Sequence, residues 1–259
     1  MSSRWPFLDH PGPLAFAHRG GALEHAPFEN TMLAFQAAVD LGYRYLETDV
    51  HATADGALLA FHDDRLDRVT DRVGRIAELS LREVAQARVG GREPIPLLED
   101  LLGAFPDVRV NIDPKADRAV VPLAGAITRT GSEDRVCCGS FSDRRLARLR
   151  RLVGPRLCTS LGPAATARLR GASYGVPTGP LPAPCVQVPH RYRGRVLTDE
   201  RFVATAHRLG LQVHVWTVDD DAEMDELLDR GVDGLMTDRP TLLRDVLTRR
   251  GTWAGRPGT

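Results

Sequence analysis

Short apolar runs alternate with amphipathic segments along most of the chain. The apolar runs fit buried strands, and nearly all of the segments between them repeat apolar residues at helical spacing. The predicted strands cover residues 14–18, 45–50, 108–113, 135–140, 156–161, 185–189, 212–218 and 234–237. Strands that alternate with helices in this way predict an α/β fold, the (β/α)8 TIM barrel.

One apolar run does not fit the barrel. Residues 57–62 follow the second strand after a connection of only Ala54, Asp55 and Gly56, and Asp-Gly is a typical hairpin turn. A parallel neighbour would need a crossover of roughly a dozen residues or more. We therefore expect an antiparallel hairpin, which begins a small insertion over about residues 51–95 between strand 2 and its helix.

The two ends of the chain limit the predicted barrel domain. Residues 1–13 are rich in turn-forming residues and predict a loosely packed N-terminal arm. We expect a single TIM-barrel domain over residues 14–250 and a C-terminal tail over residues 251–259. A chain of 259 residues, 42% of them hydrophobic, is long enough for one such domain.

Polar residues collect where the predicted strands end. His18 and Arg19 follow the first strand, Glu47 and Asp49 end the second, and Asp113 ends the third. Barrel enzymes carry their chemistry at the face formed by the C-terminal ends of the strands. We therefore expect an active site at this face.

Three carboxylates are expected to meet there. Residues two apart in a strand share a face, so Glu47 and Asp49 project together, and Asp113 lies on the neighbouring strand. Converging carboxylates suit Mg²⁺ or Ca²⁺, because both ions prefer oxygen ligands. The alternative is that these carboxylates form salt bridges with the many arginines of the chain.

Two histidines are candidates for acid–base catalysis. His18 and His62 each end an apolar run near the carboxylates, and imidazole exchanges protons near neutral pH. Arg19 and Lys115, the only lysine of the chain, are candidates for binding a phosphate. Trp216 closes the seventh strand, where it either lines the substrate pocket or packs in the core.

Composition narrows the possible partners. The 34 basic and 34 acidic residues balance, so we expect no general attraction to nucleic acid. Cys137, Cys138, Cys158 and Cys185 have no CxxC spacing and predict buried free thiols. A signal-peptide pattern and a run of about 20 apolar residues are both lacking, so we expect a cytoplasmic protein without an integral membrane segment. The oligomeric state stays open.

An ordered set of motifs resembles the glycerophosphodiester phosphodiesterase family. The motifs extend over nearly the whole chain and include HRGG at 18–21, ENT at 29–31, ETDVHATADG at 47–56, FHDDRLDRVT at 61–70, IDPK at 112–115, GSF at 139–141, HVWTVD at 214–219 and GLMTDRP at 234–240. The family is known as a barrel with a small insertion after the second strand. That architecture agrees with the strand count above.

The resemblance implies metal-dependent hydrolysis of small glycerophosphodiesters to glycerol 3-phosphate and an alcohol. It implies that His18 and His62 form the acid–base pair and that Arg19 contacts the phosphate, and Lys115 matches the family lysine. The acidic positions of the metal region correspond to Glu29, Glu47, Asp49 and Asp113. The family usually has a glutamate at the last of these positions, so the shorter aspartate leaves direct metal binding open.

Two alternatives accompany this interpretation. A phospholipase D-type activity on lysophospholipids would need an apolar groove near the insertion. A non-catalytic barrel that only binds a phosphodiester is also compatible with the fold. The presence of both histidines and all the carboxylates favours catalysis.

Overall fold

The predicted barrel is present in the structure. The computed structural model describes residues 5–22, 24 and 26–255, and its strands are β1 (Leu14–His18), β2 (Tyr45–Ala52), β3 (Leu58–Ala60), β4 (Arg109–Pro114), β5 (Val136–Cys138), β6 (Cys158–Thr159), β7 (Cys185–Pro189), β8 (Arg191–Tyr192), β9 (Arg195–Val196), β10 (Gln212–Trp216) and β11 (Gly234–Thr237). Parallel pairing gives the order β6-β5-β4-β2-β1-β11-β10-β7. A parallel bridge between Ser160 and Cys185 joins the two ends of this row.

Helices follow most of the barrel strands. They are α1 (Met32–Asp40), α2 (Leu81–Val84), α3 (Leu98–Ala104), α4 (Val120–Arg129), α5 (Asp143–Val153), α6 (Pro163–Ala172), α7 (Glu200–Arg208), α8 (Asp221–Asp229) and α9 (Pro240–Arg249). Side-chain caps stabilise the N-termini of three helices, α1, α7 and α8. Thr31, Asp199 and Asp220 each accept a hydrogen bond from a backbone N–H of the first turn. Among the described residues, no helix is long and apolar enough to cross a membrane.

The barrel strands separate two hydrophobic clusters. Outward residues such as Val110 and Ile112 belong to the large cluster formed with the helices. Inward residues such as Phe16, Tyr45 and Cys137 form a smaller cluster inside the barrel. This division follows from the alternation of side chains along each strand.

The hairpin prediction is confirmed. β3 pairs antiparallel with β2, with Val50 opposite Ala60, and it lies off the barrel path. Around it the insertion builds its own cluster of buried apolar residues, among them Leu59, Leu66 and Ile76. His62 therefore extends from a packed subdomain on the C-terminal face of the barrel.

The N-terminal segment corrects the expectation of a loosely packed arm. Phe7 is fully buried and Leu8 nearly so, and both belong to the cluster inside the barrel. The Phe7 ring lies 5.3 Å from that of Tyr45, whose hydroxyl donates to the Phe7 carbonyl at 2.9 Å. The open base of a barrel exposes apolar inward residues, and this segment covers them. Residues 1–4 lie outside the described part.

The tail also packs where it is described. Trp253 stacks edge-on against Tyr43, with ring centroids 5.2 Å apart. Residues 256–259 lie outside the described part, and the division into arm, domain and tail stays a prediction.

We expect Phe7→Ala to lower the free energy of unfolding by about 3–5 kcal/mol, because it opens a cavity in a buried aromatic cluster. Urea denaturation followed by circular dichroism measures the change. Val73→Ala is the control, because Val73 is 76% exposed and its truncation should shift stability by about 0.5 kcal/mol or less. Equal effects of the two substitutions would contradict the role of Phe7 as a buried cover.

Candidate active site

His18 is held at the end of β1 by a carboxylate from the far end of the chain. Its Nδ1 lies 2.6 Å from Oδ1 of Asp238, which directly follows β11. A carboxylate only accepts, so Nδ1 carries a proton, and Nε2 keeps a lone pair when the ring is neutral. Nε2 lies 3.7 Å from Oε2 of Glu47. Burial alone would lower the pKa of His18, but Glu47 and Asp238 raise it above its ordinary value.

Glu47, Asp49 and Asp113 lie at neighbouring positions of β2 and β4. Asp49 and Asp113 are direct neighbours in the register of β2 and β4, and Glu47 lies beside His18 in the register of β1 and β2. Glu47 and Asp49 are almost inaccessible to solvent. Burial and the neighbouring Asp49 carboxylate raise the pKa of Glu47 to about 7. Like charges in a buried site have this effect, because each disfavours ionisation of the other.

Two cations lie among the carboxylates. Lys115 Nζ contacts Asp49 Oδ1 at 2.6 Å and Asp113 Oδ2 at 2.8 Å. Arg19 contacts Asp49 at 3.1 Å and Glu29 at 3.2 Å, although the contact to Asp49 lacks hydrogen-bond geometry. Burial would raise the pKa of Asp49, but Lys115 and Arg19 hold it below its ordinary value. The pKa of Asp113 is raised by burial despite its contact with Lys115.

A sharp turn after β1 directs Arg19 to the carboxylates. Arg19 has a φ of 52°, in the left-handed region that few non-glycine residues adopt. Its backbone N–H donates to Glu47 Oε2 at 3.2 Å, while its guanidinium reaches Asp49. Gly20 continues the turn, where a Cβ would lie 2.8 Å from the Cβ of Ala34. The HRGG motif therefore builds part of the site with its backbone.

His62 is oriented in the same way as His18. Its Nδ1 lies 2.6 Å from Oδ1 of Asp63, and Arg68 binds the other oxygen of Asp63 at 2.6 Å. Arg68 also contacts Glu29 at 2.6 Å, which links the insertion to the segment after β1. His51, to which the sequence assigns no role, donates from Nε2 to the carbonyl of His62 at 3.0 Å.

An open cleft of about 520 Å³ lies over the insertion side of the site. It is lined by His51, His62, Asp63, Asp64, Arg65, Asp67, Arg68 and Lys115. Trp216 stands apart from this group, at the end of β10, where its ring packs edge-on against Phe141 at 5.7 Å. Phe141 is 69% exposed, so the two aromatic rings form an apolar patch at the C-terminal face.

The carboxylate oxygens of the site are the kind of ligand that Mg²⁺ and Ca²⁺ prefer. Among the described residues, Asp49 Oδ2 and Asp113 Oδ1 are buried and lack a hydrogen-bond partner. Hard divalent ions bind oxygen atoms, and these two oxygens are not used by another hydrogen bond. The acidic side chains of the described residues do not bring three ligand oxygens within 4.8 Å of one another. Arg19 and Lys115 lie between them, so an ion would replace some of the present contacts of these cations.

The carboxylates that orient the two histidines, Asp238 and Asp63, have no role in the sequence-based prediction of the site. The signal for Asp63 was its place directly after His62 in the chain. Asp238 offered a weaker signal, an acidic residue just past the last strand, which is the neighbour of β1 in the closed barrel.

A family model for the glycerophosphoryl diester phosphodiesterase family matches residues 18–242. This match covers most of the chain, including every element that carries the residues described above. The chain belongs to this family. The predicted family, and the expected class of phosphodiesterase, are thereby confirmed.

Individual relatives agree with this membership. The Mycobacterium tuberculosis protein named "Probable glycerophosphodiester phosphodiesterase 2" is 45% identical over 96% of each chain. The human protein named "Lysophospholipase D GDPD1" is 27% identical over 89% of this chain and 85% of its own length.

Solved structures agree on the fold. An Oleispira antarctica phosphodiesterase, solved in complex with the product sn-glycerol-3-phosphate, superposes with a TM-score of 0.76 at 23% identity, over 92% of this chain and 97% of that one. A glycerophosphodiester phosphodiesterase from Agrobacterium tumefaciens has a TM-score of 0.72 at 25% identity, over 89% and 98% of the two chains.

We expect Asp238→Asn to lower the pKa of His18, because the amide no longer favours the charged imidazole. NMR titration of the His18 ring in metal-free protein measures the shift. Asp233→Asn is the matched control, since Asp233 lies 2.8 Å from a different imidazole, that of His207. An unchanged His18 titration in Asp238→Asn would show that Asp238 does not control this ring.

Proposed function

We propose that this chain hydrolyses small glycerophosphodiesters to glycerol 3-phosphate and an alcohol, with a divalent metal ion as cofactor. The observation that carries the proposal is the pair of carboxylate-oriented histidines, His18 and His62, beside the buried carboxylates of β2 and β4. Family membership supports the reaction class, and the family is in general dependent on a divalent metal. The product bound to the Oleispira antarctica structure supports the glycerol 3-phosphate half.

The two histidines divide the proton transfers. Each presents Nδ1 to an aspartate at 2.6 Å, so each keeps Nε2 available for the substrate. One imidazole takes the proton of the attacking nucleophile, and the other donates a proton to the leaving alkoxide. Both rings have equivalent support, which leaves their two roles interchangeable.

Arg19 and Lys115 supply the positive charge for the phosphodiester. Arg19 offers a planar guanidinium that binds two oxygens, and Lys115 offers a single ammonium. Both contact carboxylates in the structure, and these contacts fix their positions. Trp216, at the end of β10, is the proposed apolar wall of the substrate pocket.

Glu47, Asp49 and Asp113, with Glu29, are the proposed ligands of Mg²⁺ or Ca²⁺. The oxygens of Asp49 and Asp113 that accept no hydrogen bond support this assignment. The raised pKa values of Glu47 and Asp113 support it too, because they show that these two carboxylates lack sufficient compensating charge. When bound, the ion polarises the phosphoryl oxygens. Glu29 contributes only if Arg19 and Arg68 release it.

Lysophospholipids are a second candidate substrate. The cleft at the insertion is lined by charged and polar side chains and is not the apolar groove expected there. Apolar surface lies instead at the exposed ring of Phe141 beside Trp216, where an acyl chain would leave the site. The human, mouse and rat relatives named lysophospholipase D also support lysophospholipids as substrates.

We expect His62→Ala to lower kcat by about 100- to 10,000-fold, as for loss of a general acid or base. Metal affinity, measured by isothermal titration calorimetry, should stay unchanged, whereas Asp49→Ala should abolish binding of the ion. His207→Ala, a histidine on the remote helix α7, is the activity control. A loss of metal affinity in His62→Ala equal to that in Asp49→Ala would refute the proton-transfer role.

We expect EDTA to reduce glycerol 3-phosphate release from glycerophosphocholine by on the order of 100-fold, because the ion supplies several kcal/mol of charge stabilisation. Adding back Mg²⁺ and Ca²⁺ separately identifies the effective ion. A rate unaffected by EDTA would exclude a metal-dependent mechanism.

A lysophospholipid assayed in parallel, with and without EDTA, tests the second substrate. Turnover of glycerophosphocholine alone would reject the lysophospholipase D candidate.

A further inference from the structure

Three cysteines meet inside the barrel, below the active site. Cys137, Cys158 and Cys185 lie on the neighbouring strands β5, β6 and β7, and Cys137 is opposite Cys158 in the register. All three are fully buried, and their Sγ atoms lie within 4.8 Å of one another. Three strands therefore bring three thiols to a single point.

The fourth cysteine has a different environment. Cys138 directly follows Cys137 in β5, so its side chain points to the opposite face of the sheet. It is equally buried but belongs to the outer cluster between the barrel and the helices. Cys138 therefore matches Cys137 in burial and in position along the strand, but its thiol does not face those of Cys158 and Cys185.

The surroundings of the three thiols are mainly apolar. Phe7, Leu8, Phe16, Tyr45 and Met236 share their cluster. The three thiols form hydrogen bonds with one another, and the Sγ of Cys185 also lies 3.6 Å from the carbonyl of Thr159, to which it donates a weak hydrogen bond. Such walls exclude water and hard ions but leave the sulfur atoms facing one another.

The thiols lie where neighbouring barrel strands share the fewest backbone hydrogen bonds. β6 has only two residues, and the connection between β6 and β7 in the described structure is the single bridge from Ser160 to Cys185. A covalent or coordinate link among these strands would strengthen the place where backbone hydrogen bonds are fewest.

We propose that Cys137, Cys158 and Cys185 form a structural site for one thiophilic divalent ion, with Zn²⁺ as the expected occupant. Structural Zn²⁺ is tetrahedral with Zn–S bonds of about 2.3 Å, so three of its thiolate ligands lie roughly 3.8 Å apart, within the 4.8 Å limit that the three Sγ atoms satisfy. Thiolates select Zn²⁺ over Mg²⁺ and Ca²⁺. Each coordinating thiol releases its proton to solvent on binding, and no oxidant takes part.

This site is separate from the proposed catalytic ion in both place and chemistry. Oxygen ligands lie at the C-terminal ends of the strands, and sulfur ligands lie deeper in the barrel. Phe7 and Leu8 cover the base, so the ion enters before this segment closes. The site does not depend on the proposed function, and its occupancy is measured without an activity assay.

The test uses full-length protein produced in zinc-supplemented medium and then dialysed against EDTA. Mass spectrometry of the metals should find about one Zn²⁺ per chain in the wild type and in Cys138→Ala, because a buried structural ion exchanges slowly. Cys158→Ala should lose this ion. Production with Cd²⁺ should give a sulfur-to-metal charge-transfer band in the same two proteins, which carboxylate ligands do not produce.

Loss of metal in Cys138→Ala equal to that in Cys158→Ala would overturn the site, since it would trace the effect to general core damage. Absence of both retained Zn²⁺ and the Cd²⁺ band from the wild type would also overturn it. If Cys158→Ala does not fold, the Cd²⁺ charge-transfer band of the wild type tests the site without this variant. An intensity that corresponds to three thiolate bonds supports the site, and a missing band refutes it.

Discussion

The burial of like charges at the end of β2 and β4 is the constraint on which the site depends. Glu47, Asp49 and Asp113 cannot all be ionised in this position without positive charge nearby. Arg19 and Lys115 supply that charge in the structure, and the turn after β1 places the guanidinium where it is needed. Two buried carboxylate oxygens nevertheless lack a hydrogen-bond partner among the described residues. A site of this kind binds cations, whether from the protein, a metal or both.

The barrel also places two kinds of potential ligand atoms at different depths. Alternation sends every second side chain of a strand inward, and the position along the strand decides how deep that side chain lies. Carboxylates come at the C-terminal ends, and the thiols of Cys137, Cys158 and Cys185 come below them among apolar residues. One scaffold thus offers hard oxygen donors at its open face and soft sulfur donors in its dry interior.

The two histidines differ in what holds them. His18 lies on the barrel itself, between Glu47 and Asp238. His62 extends from the insertion, whose own small core and the link from Arg68 to Glu29 fix it relative to β1. The alignment of the pair therefore depends on how the insertion packs, and a disturbance there would separate the proposed metal binding from the proposed proton transfer.

The sequence by itself determined the elements whose rules are local. Strand alternation placed Glu47 and Asp49 on one face, and the short connection after residue 53 excluded β3 from the barrel. Only the tertiary structure decided the contacts made across the chain. His18 and Asp238 are 220 residues apart, the three thiols come from separate strands, and Phe7 covers a base that exists only once the barrel closes. No spacing along the chain encodes such contacts, because closure of the barrel creates them.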